Sequence, residues 1–169
     1  GEPYVALDEL PMQFWGVGFT TDSQAIWCGG PGEPGRIVVQ PISQANWTTI
    51  VTDQNDQKLR HVLRQPRDGS WIATFATGEM RRIWIEANTV RQQAMAHHLN
   101  VHSVALSPDG RYFAAANQDI QVWDTTDWNL VATLKGHSAA VPALCFSPTS
   151  TLLASGDVHG LIKLWEVPF

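Results

Sequence analysis

The chain repeats itself with a period of about 40 residues, and self-similarity at such a period commits a sequence to a repeat architecture before any other feature is weighed. The last unit runs Val141-Pro142-Ala143-Leu144-Cys145-Phe146-Ser147-Pro148, then Leu152-Leu153-Ala154-Ser155-Gly156, then Ile162-Lys163-Leu164-Trp165-Glu166. The same grammar stands one period earlier in Val101 to Pro108, Tyr112 to Ala116, and Ile120-Gln121-Val122-Trp123-Asp124. A weaker copy spans Leu59 to Gly69, Trp71 to Ala76 and Arg82 to Glu86. One weaker still runs through Trp15 to Phe19, Ala25 to Cys28 and Ile37 to Gln40. With Thr21, Pro66, Pro108 and Pro148 as equivalent positions, the spacings are 45, 42 and 40 residues.

Each unit reads as short strands of alternating or continuous apolar character separated by turn residues, and no window carries a clear helical stripe. Thr89 to Leu99 could place Val90, Ala94 and Met95 on one helix face, but its place in the period predicts a strand. In Ser107-Pro108-Asp109-Gly110 the proline pre-sets φ and the glycine accepts a positive φ, which predicts a hairpin. A fourth strand falls after each Trp position, at Trp47 to Thr52, Val90 to Met95 and Leu130 to Leu134. Four strands per period, with Gly136-His137 near a unit's start and Trp123-Asp124 at a third strand's end, form the per-blade signature of a β-propeller.

On Gly136-His137, Ser147-Pro148, Leu153 to Gly156 and Ile162 to Glu166 the chain resembles the WD-repeat β-propeller family, most specifically over residues 98–169. The expected fold class is therefore all-β, with about four four-stranded antiparallel blades that form part of a larger, often seven-bladed ring. The repeats are expected at residues 8–52, 53–95, 96–134 and 135–169, with residues 1–7 an outer strand of a neighbouring or closing blade. Because a repeat buries its core only against its neighbours, terminal blades would expose apolar faces. Pairing with further blades, in cis or in trans, is the expected remedy.

The resemblance also implies a hydrogen-bonded network within each blade, from a His before the first strand through a Ser or Thr on the second and an Asp in the next turn to a Trp on the third. The last unit offers His137, Ser155 and Trp165, with His159 at the position that usually holds Asp and Asp157 two residues away. The unit before offers His98, Asp119 and Trp123, with Ala115 where the hydroxyl belongs. Both networks read as incomplete, so the blades are expected to lean on Trp and aliphatic packing. His137, Ser155 and Asp157 also hold the parts of a nucleophilic triad. The chain shows no G-x-S-x-G turn and no identifiable oxyanion donors, and the repeat already accounts for the His and the Ser.

Other constellations read blandly. His97, His98 and His102 lie in a link entering a strand, where positions i and i+4 stand about 13 Å apart, too far to close on one ion. The Gly-rich stretch Gly29 to Gly35 lacks the Lys-Ser/Thr of a P-loop and carries Glu33. Cys28 and Cys145 read as buried thiols. Of the eight Trp, Trp84, Trp123 and Trp165 mark one repeat position and are expected to pack between blades, while Trp47 and Trp128 are the expected exposed pair. A net charge of −5 with no basic run argues against a nucleic-acid or anionic-membrane partner. No apolar run approaches a membrane span, so no membrane insertion is expected. The start, Gly1-Glu2-Pro3-Tyr4, has neither an initiator Met nor a signal region, so an excised or incomplete stretch is expected, and the cytoplasm is the favoured compartment.

No catalytic residue, metal or cofactor is expected. What the resemblance implies is a non-enzymatic scaffold that binds proteins or peptides and supports complex assembly. Two alternatives stay open: the regulatory propeller portion of a longer signalling protein, and a propeller enzyme or small-ligand binder with a site in the central channel. The candidate partner-binding face carries the links before first strands and the turns after second strands. By register it displays Glu79, Arg81, Asn100 and Asn117, together with Asp157 and His159; His98 and Asp119 fall on the same face.

Overall fold

The computed structural model describes residues 16–19, 25–30, 36–41, 48–52, 59–86, 89–95 and 100–167. These form strands and turns, with no helix among the described residues. The first sheet contains β1 (Gly16–Phe19), β2 (Ala25–Gly30), β3 (Arg36–Pro41) and β4 (Thr48–Thr52). The second contains β5 (Leu59–Arg64), β6 (Trp71–Phe75), β7 (Met80–Glu86) and β8 (Thr89–Met95). In the third are β9 (Ser103–Leu106), β10 (Tyr112–Ala116), β11 (Ile120–Asp124) and β12 (Leu130–Leu134). The fourth has β13 (Ala143–Phe146), β14 (Leu152–Gly156) and β15 (Ile162–Glu166). Every sheet is an antiparallel meander in chain order, the arrangement expected of propeller blades. Thr89–Met95 is a strand along its whole length, from Glu86↔Thr89 to Met80↔Met95. The expected outer strand at Tyr4 to Leu7 lies outside the described residues, as do Trp15, Trp47, His97, His98 and Pro31 to Gly35.

The sheets stack because their middle strands are apolar on both faces. In β10, Tyr112, Ala114 and Ala116 join Val141 of the β12–β13 link and Phe146 and Leu153 of the fourth sheet in one core. The alternate residues Phe113 and Ala115 join Ile72, Met80 and Met95 of the second sheet, with Trp123, in another. The two-residue side-chain period thus divides one strand between two neighbours. In β6 the division recurs, with Trp71, Ala73 and Phe75 in one cluster and Ile72 in the next. Alanines at the centre of β10 allow close approach of the sheets on either side. At the inner edge, β5 lies against β1, β2 and β9, and β9 lies against β13.

Turns at one end of the sheets lock neighbours together. Gln65, in the β5–β6 turn and fully buried, donates Nε2–H to the Gly110 carbonyl in the β9–β10 turn at 2.9 Å. Thr125 Oγ1 donates to the same carbonyl at 2.7 Å. Gly110 has φ +69°, and a Cβ there would collide with Gln65 Oε1 and stand 2.8 Å from Pro66 Cγ and Arg67 Cγ. In the fourth sheet the corresponding residue is Ser150, which holds φ +60° without being glycine. That backbone costs roughly 1–2 kcal/mol for a residue with a Cβ. Against burial, which acts the other way, the Ser150 hydroxyl is among the groups that hold the Asp109 carboxyl of the preceding sheet's turn below its ordinary value.

Two sequence expectations are corrected. Trp128 is half-buried, not exposed, because its φ of +59° folds the indole back to 6.0 Å from the Phe113 ring. There it faces the Arg82 guanidinium, which lies 4.7 Å from Trp84 and 5.5 Å from Trp128 and forms an ion pair with Asp68. Cys145 is exposed rather than buried, because it sits on the face of the fourth sheet that no other described sheet covers. The Cys28 side chain lies outside the description.

Gly110 and Gly160 separate backbone strain from collision. Gly160 has φ +83° with open space where a Cβ would go. Gly160→Ala should therefore cost only about 1–2 kcal/mol, whereas Gly110→Ala should add roughly 1–3 kcal/mol of overpacking. Urea denaturation of both variants checks the order.

Candidate functional site

The polar centre of the fourth sheet is built from three elements. β14 turns Ser155 to the same face as Leu153, toward the third sheet, and β15 places Trp165 opposite Leu153, one diagonal step from Ser155. The link between β12 and β13 brings in His137, and Asp157 opens the β14–β15 turn. Trp165 Nε1–H donates to Ser155 Oγ at 2.8 Å, Ser155 Oγ lies 2.7 Å from His137 Nε2, and His137 Nδ1 lies 2.8 Å from Asp157 Oδ2. One imidazole proton, on Nδ1, satisfies the line: the indole gives to the hydroxyl, the hydroxyl to Nε2, and Nδ1–H to the carboxylate. Asp157 Oδ1 accepts from the backbone N–H groups of His159 and Leu161, each at 3.0 Å, which fixes the turn.

The hydrogen bond from His137 holds the Asp157 carboxyl below its ordinary value; the two backbone donors act in the same sense, and burial opposes them. These contacts correct the expectation for this unit. Asp157, not His159, is the network's acid, and it is buried rather than displayed on a partner face. The physical reason is the side-chain-to-backbone turn, which draws the first residue of the loop inward and leaves His159 exposed.

The same atoms form a Ser–His–Asp line, the arrangement that in an accessible site activates a hydroxyl nucleophile. Here Ser155 is buried, and its oxygen already receives the indole N–H. The line joins strand, link and turn into one unit.

In the third sheet Ala115 and Trp123 are fully buried, and Asp119 is half-buried with its carbonyl accepting from Asn117 N–H at 3.1 Å. His98 lies outside the described residues. Ser103 is also buried there, its hydroxyl donating to the Val141 carbonyl at 2.7 Å and so tying β9 to the following link.

Of the residues expected on the partner face, Asn100 and His159 are exposed and Asn117 is half-buried, its carbonyl accepting from Val141 N–H. Glu79 and Arg81 pair with each other at 2.7 Å, the guanidinium lying 4.8 Å from the Phe75 ring. Two residues escaped the sequence reading: Val158 and Leu161, in the same turn as His159, are 61% and 45% exposed. The available signal was an apolar pair bracketing His159-Gly160 in a turn where polar residues usually stand. Near the inner strands a cavity of about 430 Å³ is lined by His61, Ser103, Val104 and Pro142 among others. His61 Nδ1 lies 2.9 Å from Thr74 Oγ1, and burial lowers the imidazole's pKa. Among the described residues no group of three His, Cys, Asp or Glu could hold a metal ion, and no helix is long and apolar enough to cross a membrane.

Residues 89–124 and 128–166 match the family model described as WD domain, G-beta repeat. The chain is 30% identical over 108 residues to the periodic tryptophan protein 2 homolog of Dictyostelium discoideum, a match covering 59% of this chain and 11% of that protein. It is 34% identical over 73 residues to eukaryotic translation initiation factor 3 subunit I of Pyricularia oryzae, covering 42% of this chain and 21% of that one. It superposes on the crystal structure of the Cps50 (Swd1) β-propeller domain of Myceliophteria thermophila with a TM-score of 0.72 at 16% identity, over 92% of this chain and 54% of that one. The chain thus spans a minor part of these curated relatives and about half of the propeller domain.

Ser155→Ala removes the hub of the line and leaves the Trp165 indole and His137 Nε2 without their partner; it should cost about 1–3 kcal/mol in urea unfolding. Because the folded Asp157 carboxyl is depressed, its contribution is complete above the ordinary carboxylate range and is lost as pH falls through the folded value. Stability measured from pH 6 down to pH 3 should therefore fall more steeply in the parent chain than in Asp157→Asn.

Proposed function

We propose, from the match of residues 89–124 and 128–166 to WD repeats and the likeness of the sheets to a β-propeller, that the chain is a non-enzymatic WD-repeat scaffold that docks a protein or peptide partner on the face carrying the β10–β11 and β14–β15 turns. The observation that carries this reading is the β14–β15 turn itself. It presents two exposed apolar side chains, Val158 and Leu161, beside exposed His159, on a backbone held by Asp157 and the buried network behind it. The Val158 N–H also donates to the Ala140 carbonyl, so the turn is anchored to the neighbouring link. An apolar centre with a polar rim is the usual anatomy of a protein-docking patch. Asn100 and Asn117 supply polar groups on the same face, and a pre-ordered turn spares a partner the entropic cost of fixing it. Burial of Ser155 and Asp157 supports the reading over an acyl-transfer site.

A peptide array and titrations of its retained peptides test the proposal. Val158→Ser with Leu161→Ser should weaken retained peptides at least about tenfold, equivalent to 1.4 kcal/mol. The melting temperature should stay within a few degrees, since both side chains face solvent. Peptides that bind the variant as tightly as the parent chain would place the docking surface elsewhere.

A further inference from the structure

We infer that a cavity between the second and third sheets, at the end of the stack opposite the β14–β15 turn, receives a carboxylate side chain from an acidic peptide segment of a partner. The cavity measures about 270 Å³ and is lined by Gln65, Arg67 and Asp68 of the β5–β6 turn, Arg82 of β7, and Thr125 and Thr126 of the β11–β12 turn. Gln65 and Thr125 are buried at its floor, while Arg67 and Thr126 are exposed at its mouth. Both sheets that form it are full four-stranded meanders.

The polar groups of this lining are unequally committed. Gln65 and Thr125 both donate to the Gly110 carbonyl, and Thr126 Oγ1 donates to Asp124 Oδ1 at 2.6 Å. Asp68 is committed on both oxygens: Oδ1 accepts from Ser70 N–H at 2.9 Å, and Oδ2 takes the Nη2 edge of Arg82. Arg82 is held by Nε–H to Ser70 Oγ at 3.1 Å and by its stack against Trp84 and Trp128, which leaves Nη1 without a partner among the described residues. Arg67 carries the larger surplus. Its guanidinium makes no hydrogen bond or ion pair among the described residues, only its backbone N–H donating to Gln65 Oε1. Asp109, close enough to feel the Arg67 charge, turns Oδ1 to the Ser107 hydroxyl and the Arg111 N–H instead.

What remains is a surplus of N–H donors on two guanidinium groups, and such a surplus selects a ligand that only accepts. Two cations, Arg67 and Arg82, against the single carboxylate of Asp68 leave the lining with one net positive charge. A carboxylate balances that charge, whereas a phosphate monoester brings about −1.5 to −2 and overshoots it. A Lys or Arg side chain would meet both guanidinium groups in repulsion. Size points the same way: small-molecule sites run from about 300 to 1,000 Å³, so this smaller cavity suits one inserted side chain rather than a cofactor. A guanidinium fork donates to both oxygens of a carboxylate, and the fixed plane of Arg82 lowers the cost of ordering that contact.

Nuclear magnetic resonance titration of the whole chain with the peptide acetyl-Gly-Glu-Glu-Gly-amide reads the site directly. The expected result is saturable shifts at Arg67, Arg82, Thr125 and Thr126, with the Gln-for-Glu peptide and inorganic phosphate each binding at least about tenfold more weakly. Arg67→Gln should weaken the acidic peptide by at least the same factor at an unchanged melting temperature, since that side chain is exposed. Lys135→Gln removes an exposed charge from the β12–β13 link at the other end of the stack and should leave binding intact. A Gln peptide that binds as tightly as the Glu peptide overturns the proposal, as does phosphate that does so. Titration without shifts at these four residues, or binding indifferent to Arg67→Gln, overturns it equally.

Discussion

Everything in this structure depends on strands that are apolar on both faces. A sheet whose middle strand reads Tyr-Phe-Ala-Ala-Ala cannot bury itself; it needs one neighbour for Tyr112, Ala114 and Ala116 and a different one for Phe113 and Ala115. Stability is thus a property of sheet pairs, as in any array whose units contact only those beside them. Trp123 and Trp165 follow from the same requirement. Both extend from a third strand toward the preceding sheet, Trp123 fully enclosed and Trp165 half so.

The Ser–His–Asp line shows how environment assigns a role to a set of side chains. Its internal distances would suit acid–base chemistry, yet its hydroxyl is buried and already accepts an indole proton. In that setting a satisfied polar chain gives one defined geometry to three pieces of backbone that apolar contacts alone would leave free to slide. The exposed part of the β14–β15 turn inherits that definition. Val158 and Leu161 can stand in solvent without collapsing because Asp157 holds the backbone beneath them.

Much of this was legible in the residues. The period assigned Thr89–Met95 to a strand against a weak helical pattern, and Ser107 to Gly110 spelled its own turn. The misreadings share a cause, which is that side-chain direction at a turn or a terminal sheet is not a matter of spacing. Counting positions put His159 where an acid was needed, whereas Asp157, two residues earlier, turns its carboxylate onto His137 and fills the place. Trp128 looked solvent-facing from its position near an edge strand, but a left-handed backbone turns it inward. Cys145 has the sequence of a core residue, and it is exposed only because no other described sheet covers its face. His98 and the outer strand at Tyr4 to Leu7 lie outside the described residues.

The turn-to-turn locks give the two ends of the sheet stack different freedoms to change. At the Gln65, Gly110 and Ser150 end, each turn is also part of its neighbour's wall, so an inserted residue or a bulkier side chain there is felt in two sheets at once. At the opposite end the turns at Thr77 to Glu79 and Asn117 to Asp119 are fastened mainly by backbone hydrogen bonds that are blind to side-chain identity, and in the turn at Asp157 to Leu161 the Asp157 side chain is the one fixed requirement. A lineage could rewrite that end while the other stays fixed, acquiring new recognition chemistry without renegotiating how the ring is assembled.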